Sequence, residues 1–289
     1  MIGKTSDAVV PAVGTGKPWT AQLPGEISTT HELDELRSIA ADHRKVGQEL
    51  ALAGEIQAGF LPEHVPDVEG WQLTATLKPA RETAGDFYDF IPLPGGRLGI
   101  LVADVADKGM GAALYMALSR TLIRTYAAEF DTRPDLLLSA VNRRILMDTR
   151  ARLFVTVFYA TLDLGHGTLT YCNAGHNPPY WLSSSDEGLV KELERTGMPL
   201  GIQGDIVWDR RSVELAPGDA LVLYTDGITE AQDEQEAFFG EARLLQTIQA
   251  SQGRSARDLR VSLLAEVERF VGDAPQYDDI TLVVVARDT

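Results

Sequence analysis

Residues 81–90, Arg-Glu-Thr-Ala-Gly-Asp-Phe-Tyr-Asp-Phe, and residues 98–116, Leu-Gly-Ile-Leu-Val-Ala-Asp-Val-Ala-Asp-Lys-Gly-Met-Gly-Ala-Ala-Leu-Tyr-Met, decide how this chain is read. Apolar and β-branched residues dominate Ile100 to Val105, the pattern of a buried strand. Asp104 stands at its end, where a carboxylate is costly unless something positive meets it. Gly109 and Gly111 then allow a tight turn into a helix near Ala112. Asp86 and Asp89 mark the preceding apolar run in the same way, and Asp107 follows Asp104. Carboxylates at strand ends, followed by a glycine turn, offer the side-chain and carbonyl oxygens that a hard divalent cation takes. The plain alternative is a solvated strand–loop–helix corner, and this stretch alone leaves both open.

Working outward, Pro94-Gly95-Gly96 is a turn, so 85–93 and 97–105 form a hairpin. Trp71, Leu73, Ala75 and Leu77 alternate, giving a strand over 71–80 with one buried face. Helices are expected at 112–129 and at 134–149, the second with Pro134 in its first turn. Strands at 153–164 and 168–173 flank Gly165-His166-Gly167, and 179–182 continues the sheet. Residues 183–205 read as looser chain. Strands at 206–215 and 220–225 flank Pro217-Gly218-Asp219. Helices at 240–250 and 255–271 precede a last strand at 280–286. Hairpins imply antiparallel pairing, and the helices come as two consecutive pairs. The fold expected is α/β (α+β): a four-layer α-β-β-α sandwich of two mainly antiparallel sheets flanked by helix pairs, with an N-terminal helix.

Residues 1–29 carry Gly, Pro, Ser and Thr with little periodicity and read as a flexible tail. Residues 30–65 read as a helical, coiled-coil linker. Leu36, Ile39, His43, Val46, Leu50, Ala53, Gln57 and Phe60 follow a three-four alternation, with His43 and Gln57 as polar interruptions. This seam suits either a homodimer through residues 30–60 or a single amphipathic helix docked on its own domain. Pro62 and Pro66 stop the helix. Residues 66–289 form the main domain.

The 289 residues include 26 basic and 42 acidic side chains, a formal charge of −16, which argues against a nucleic-acid partner. No apolar run approaches the roughly 20 residues of a membrane span, and no secretion signal is evident. Cys172 is the only cysteine, which fits a reducing, cytoplasmic setting. No Gly-x-Ser-x-Gly appears, so a serine nucleophile has no support.

Acidic residues fall at strand ends four times: Asp86, Asp104, Asp226 and the pair Asp278 and Asp279. Singly, each reads as a turn or solvated loop. Clustered, they would repel strongly unless cations neutralised them, which points to a two-metal site.

The motif order is Gly-Asp-Phe-Tyr-Asp (85–89), Asp-Val-Ala-Asp-Lys-Gly-Met-Gly-Ala-Ala (104–113), Asn-Ala-Gly-His-Asn-Pro-Pro (173–179), Tyr-Thr-Asp-Gly-Ile-Thr-Glu (224–230) and Asp-Asp-Ile-Thr-Leu-Val-Val (278–284). It resembles the SpoIIE/RsbU-like branch of the PPM metal-dependent protein serine/threonine phosphatases. The likeness extends over roughly residues 50–287 and includes Glu55-Ile56-Gln57-Ala58-Gly59-Phe60-Leu61-Pro62. The resemblance implies that 66–289 is a PPM-type phosphatase domain. It implies two divalent cations, Mn²⁺ or Mg²⁺, bridged by Asp104. The carbonyl of Val105 would complete one ion, and Asp226 and Asp278 would hold the other. Asp86 would act directly or through water, and Asp279 ranks below Asp278 because many relatives carry Asn there. Arg81, five residues before Asp86, resembles a phosphate-binding arginine, against a plain reading as a surface residue. Asp104, Asp86 and Arg81 are thus the expected catalytic residues. Two such cations activate a water for in-line attack on phosphorus.

Departures from the wider family also matter. Val105-Ala106 stands where eukaryotic relatives have Gly-His, so a general acid is missing. Lys108 reads either as electrostatic help or as a solvent-facing loop residue. His176, where some relatives carry an aspartate for a third metal, reads as packing. The expected partners are a phosphorylated protein substrate, a STAS-domain anti-anti-sigma factor in this branch, and an upstream sensor or regulator. The competing readings are a non-catalytic signalling module with a vestigial metal site and a hydrolase of small phosphate esters.

Overall fold

A computed structural model describes residues 26–185 and 189–289, with side chains from residue 34 onward. Most of the segment expected to be a tail, residues 1–25, lies outside the described residues. The chain divides into two compact units, Met1–Gly47 and Gln48–Thr289. The first is described only as part of helix α1 (Glu26–Ala58), which begins slightly before the position expected. In it Leu36, Ile39 and Val46 are 62%, 47% and 54% exposed among the described residues.

The second unit holds the rest of α1, then β1 (Trp71–Lys78), β2 (Phe87–Leu93), β3 (Arg97–Val105), α2 (Met110–Ala127) and α3 (Pro134–Asp148). There follow β4 (Val155–Asp163), β5 (Thr168–Ala174), β6 (Tyr180–Leu182), β7 (Val190–Glu192), β8 (Arg211–Glu214) and β9 (Ala220–Tyr224). Last come α4 (Asp226–Thr229), α5 (Gly240–Ala250), α6 (Ala256–Val271) and β10 (Ile280–Arg287). One five-stranded sheet runs β1-β10-β9-β6-β7 and the other β2-β3-β4-β5-β8. Every named strand pair is antiparallel.

Side-chain alternation builds the layers. On β3, Leu101, Ala103 and Val105 face the core under α2 and α3, while Leu98, Ile100 and Val102 face the other sheet. On β10, Leu282 and Val284 face α5 and α6, and Val283 and Val285 face inward. Three apolar cores thus separate four layers, the sandwich expected.

Two local expectations give way. The looser stretch at 183–205 contains β7, and the strand expected at 206–215 shrinks to β8. Trp208 is the reason for the second. Its ring is buried against Gly197, where a Cβ would sit 2.4 Å from the ring, and its Nε1 donates to the Met198 carbonyl at 2.9 Å. That anchoring holds 206–210 away from the ladder.

Candidate functional site

β2 begins beside the end of β3, where Phe87 pairs with Ala103, and β9 ends beside the start of β10, where Tyr224 pairs with Leu282. Asp86 and Asp104 share the parity of Phe90 and Val102, and Thr225 and Thr281 that of Leu223 and Val283. All four side chains therefore point into the layer between the sheets, at one open end of the sandwich. Asp226 and Asp278 cap the same end.

Asp86 lies deepest, 2% exposed. One of its carboxyl oxygens accepts hydrogen bonds from Thr225 Oγ1 at 2.6 Å and Thr281 Oγ1 at 2.7 Å. These two threonines tie the sheets together across the site. Both threonines lie in motifs read above for their aspartates alone; the signal for them is a hydroxyl on the inward parity of two otherwise apolar strands. Burial, then the neighbouring charge of Asp104, holds the Asp86 carboxyl well above the usual carboxylate range.

Asp104 is pushed up to about 7, by burial first and then by Asp226 and Asp278, with a hydrogen bond from Asp86 opposing. Asp226 is pushed up to about 6, by burial, then Glu230 and Asp278, with Lys108 opposing. The carboxylates at 86, 104, 226 and 278 therefore share one place and feel one another's charge. The Val105 carbonyl lies against Gly85, the residue before Asp86: a Cβ there would stand 3.1 Å from it, a tight contact.

Asp279 is 9% exposed and turned differently. Its oxygens accept from the backbone N–H groups of Ala80 at 2.8 Å and Gly85 at 2.7 Å, with a longer contact from Asp86 N at 3.4 Å. It pins the loop that carries Arg81 and delivers Asp86. Gly227 lets α4 approach this segment, since a Cβ there would lie 2.0 Å from the Asp279 carbonyl oxygen. The same loop is held from α1: Gln57 donates to the Ala84 carbonyl at 2.6 Å and accepts from Ala84 N at 2.8 Å. Residue 57, expected as a polar break in a coiled-coil seam, is instead a buried clamp. Arg81 is exposed on this loop and its side chain has no hydrogen-bond or ion-pair partner among the described residues.

Lys108 crosses the open edge. Its Nζ lies 2.7 Å from Asp278 Oδ2 and donates to the Tyr277 carbonyl at 2.8 Å. It is not a free loop lysine. His176 is fully buried, its Nδ1 2.8 Å from Thr156 Oγ1, and burial drives its pKa down to about 3. Its Nε2 makes no hydrogen bond of ordinary geometry among the described residues. It packs as a neutral ring. Asp89, on the opposite face of β2, is wholly buried and paired with Arg120 at 2.8 Å and Arg124 at 2.7 Å, so it ties β2 to α2 rather than joining the site.

Among the described residues, no three His, Cys, Asp or Glu side chains close round one point as a finished cation cage. Asp278 leans to Lys108 and Asp86 to its threonines. The donor set is nevertheless all oxygen, half-buried and mutually repelling, which fits hard divalent cations rather than soft ones. A cavity of about 220 Å³ opens beside Asp278, walled by Gly227, Ala231, Val267, Val271 and Ile280. A larger one of about 910 Å³, near Ala220 and Ala286, lies at the opposite ends of β9 and β10.

An antiparallel α-β-β-α sandwich with acidic strand ends gathered at one mouth defines the PPM, or PP2C-type, class. The sequence model described as Stage II sporulation protein E (SpoIIE) matches residues 94–288, and the chain belongs to that family, in its RsbU-like branch. Protein IcfG of Synechocystis sp. is 33% identical over 88% of this chain and 44% of its own length. Phosphoserine phosphatase RsbU of Bacillus subtilis is 29% identical over 88% of this chain and 74% of its own. This chain thus spans less than half of the first and about three quarters of the second. The SiaA-PP2C domain of Pseudomonas aeruginosa superposes with a TM-score of 0.74 at 24% identity, over 86% of this chain and all of that one. The catalytic domain of the phosphatase PstP, a structure with 2 manganese ions, shares the fold at a TM-score of 0.52 and 16% identity, over 76% of this chain and 99% of that one.

Proposed function

We propose that this chain is a metal-dependent protein serine/threonine phosphatase that hydrolyses phosphoserine or phosphothreonine with water. The observation that carries the proposal is the convergence of Asp104, Asp226 and Asp278, each from a different strand end, with Asp104 and Asp226 raised by burial first and then by their acidic neighbours. Asp104, the Val105 carbonyl, Asp226 and Asp278 would hold two divalent cations, Mn²⁺ or Mg²⁺. When bound, such a pair supplies Lewis acidity and a hydroxide near neutral pH. Asp86 orients Asp104 through their hydrogen bond. Asp279 acts through the loop it pins, which presents the unpartnered Arg81 toward solvent, where a phosphate arrives. A ligand role for Asp86 or Asp279 requires those carboxyls to leave the partners they now hold.

The substrate class is a phosphorylated STAS-domain anti-anti-sigma protein, which the RsbU likeness supports, and the setting is cytoplasmic signalling. No helix among the described residues is long and apolar enough to cross a membrane. The exposed stripe of Leu36, Ile39 and Val46 supports a homodimer through residues 30–60, and Gln57 gives that helix a grip on the catalytic loop. An upstream regulator would act through this helix.

The test is release of phosphate from a phosphoserine STAS protein with Mn²⁺. Wild type should exceed Asp104→Asn by about 10²-fold or more, as for loss of a main electrostatic contributor. Equal rates would leave the non-catalytic reading. Activity on p-nitrophenyl phosphate but on no phosphoprotein would favour the small-ester reading.

A further inference from the structure

Resting on the metal reading above, we propose that Lys108 is a resident counter-cation of the carboxylate site: it holds Asp278 while no metal is bound and yields that carboxylate when a divalent cation enters, so that it sets the protein's metal affinity. Its ammonium lies 2.7 Å from Asp278 and opposes the rise of Asp226. A second hydrogen bond, to the Tyr277 carbonyl, fixes it there. The backbone is arranged for this reach. Asp107 adopts a φ of +83° and Gly109 of +84°, and Asp107 Oδ1 accepts the Lys108 N–H at 2.8 Å. A non-glycine residue in the left-handed region is held there by its surroundings and is common at functional sites.

Among the described residues, no other base is placed for the task. Arg120 and Arg124 are committed to Asp89 on the far face of β2, and Arg81 has no acidic partner. The lysine side chain remains 41% exposed, so it can swing to water on its flexible stem. An ammonium and a dication on one carboxylate repel, and removing the ammonium also makes the site more negative. Both effects act in the same direction on affinity.

The experiment is calorimetric titration of Mn²⁺ into chelator-treated full chain, as wild type, Lys108→Gln and Lys108→Arg. Lys108→Gln should bind at least about fivefold more tightly, while Lys108→Arg stays close to wild type. The metal-free melting temperature of Lys108→Gln should fall below wild type, and saturating Mn²⁺ should close the gap. Equal or weaker binding by Lys108→Gln overturns the proposal and leaves the phosphatase reading standing. Absence of Mn²⁺ uptake by wild type overturns both. As a measurement independent of any variant's folding, the ¹³Cε signal of Lys108 in wild type should move on addition of Mg²⁺; a signal that stays put overturns the displacement.

Discussion

Asp278 and Asp279 are neighbours in sequence, yet the structure assigns them opposite consequences when removed. Asp279→Ala deletes two short charge-assisted bonds, to Ala80 N and Gly85 N. Hydrogen bonds to a charged group contribute about 1.5–3 kcal/mol each, and the buried Gly85 N–H left unpaired adds a penalty of similar size. Against this stands relief: burial holds the Asp279 pKa above its ordinary value, so the carboxylate is itself costly to bury. The net expectation is a loss of about 3 kcal/mol, or roughly 6–12 °C for a unit of this size. Asp278→Ala removes an ion pair whose partners are 41% and 34% exposed, for which about 1 kcal/mol or less is expected. Urea unfolding in the presence of a chelator measures both. Metal binding should rank the variants the other way, with Asp278→Ala the more impaired in Mn²⁺ titration. The reasoning fails if Asp279→Ala unfolds within about 0.5 kcal/mol of wild type, or if Asp278→Ala is the less stable of the two.

Gln57→Leu removes both bonds to Ala84 and should cost about 2 kcal/mol, with faster amide exchange at residues 80–86; unchanged exchange there would show that α1 does not hold the loop. His176 is buried neutral, its pKa depressed from 6.5 to about 3, so its contribution is complete above pH 6.5 and is lost progressively as pH falls toward 3. The loss reaches roughly 4 kcal/mol by the lower end, and a His176→Asn variant should show a correspondingly flatter stability profile over that window. Light scattering on the intact chain and on residues 50–289 should give a dimer and a monomer; two monomers would remove the coiled-coil reading of Leu36, Ile39 and Val46.

Local physics carried much of this protein. Period-two alternation in β1, β3 and β10, proline and glycine at turns, and Pro134 opening α3 are choices made within a few residues, so hairpins and helix pairs were readable from the chain. So were the acidic strand ends, because an aspartate after an apolar run is conspicuous wherever it occurs. What the sequence could not reveal is which oxygen meets which donor. Asp86 meets Thr225 and Thr281, 139 and 195 residues away, and the Asp279 side chain meets Gly85 across 194 residues. Parity names the face of a strand but not the partner opposite, and only the packing of one sheet on the other made Asp279 a pin, Lys108 a counter-ion and Gln57 a clamp.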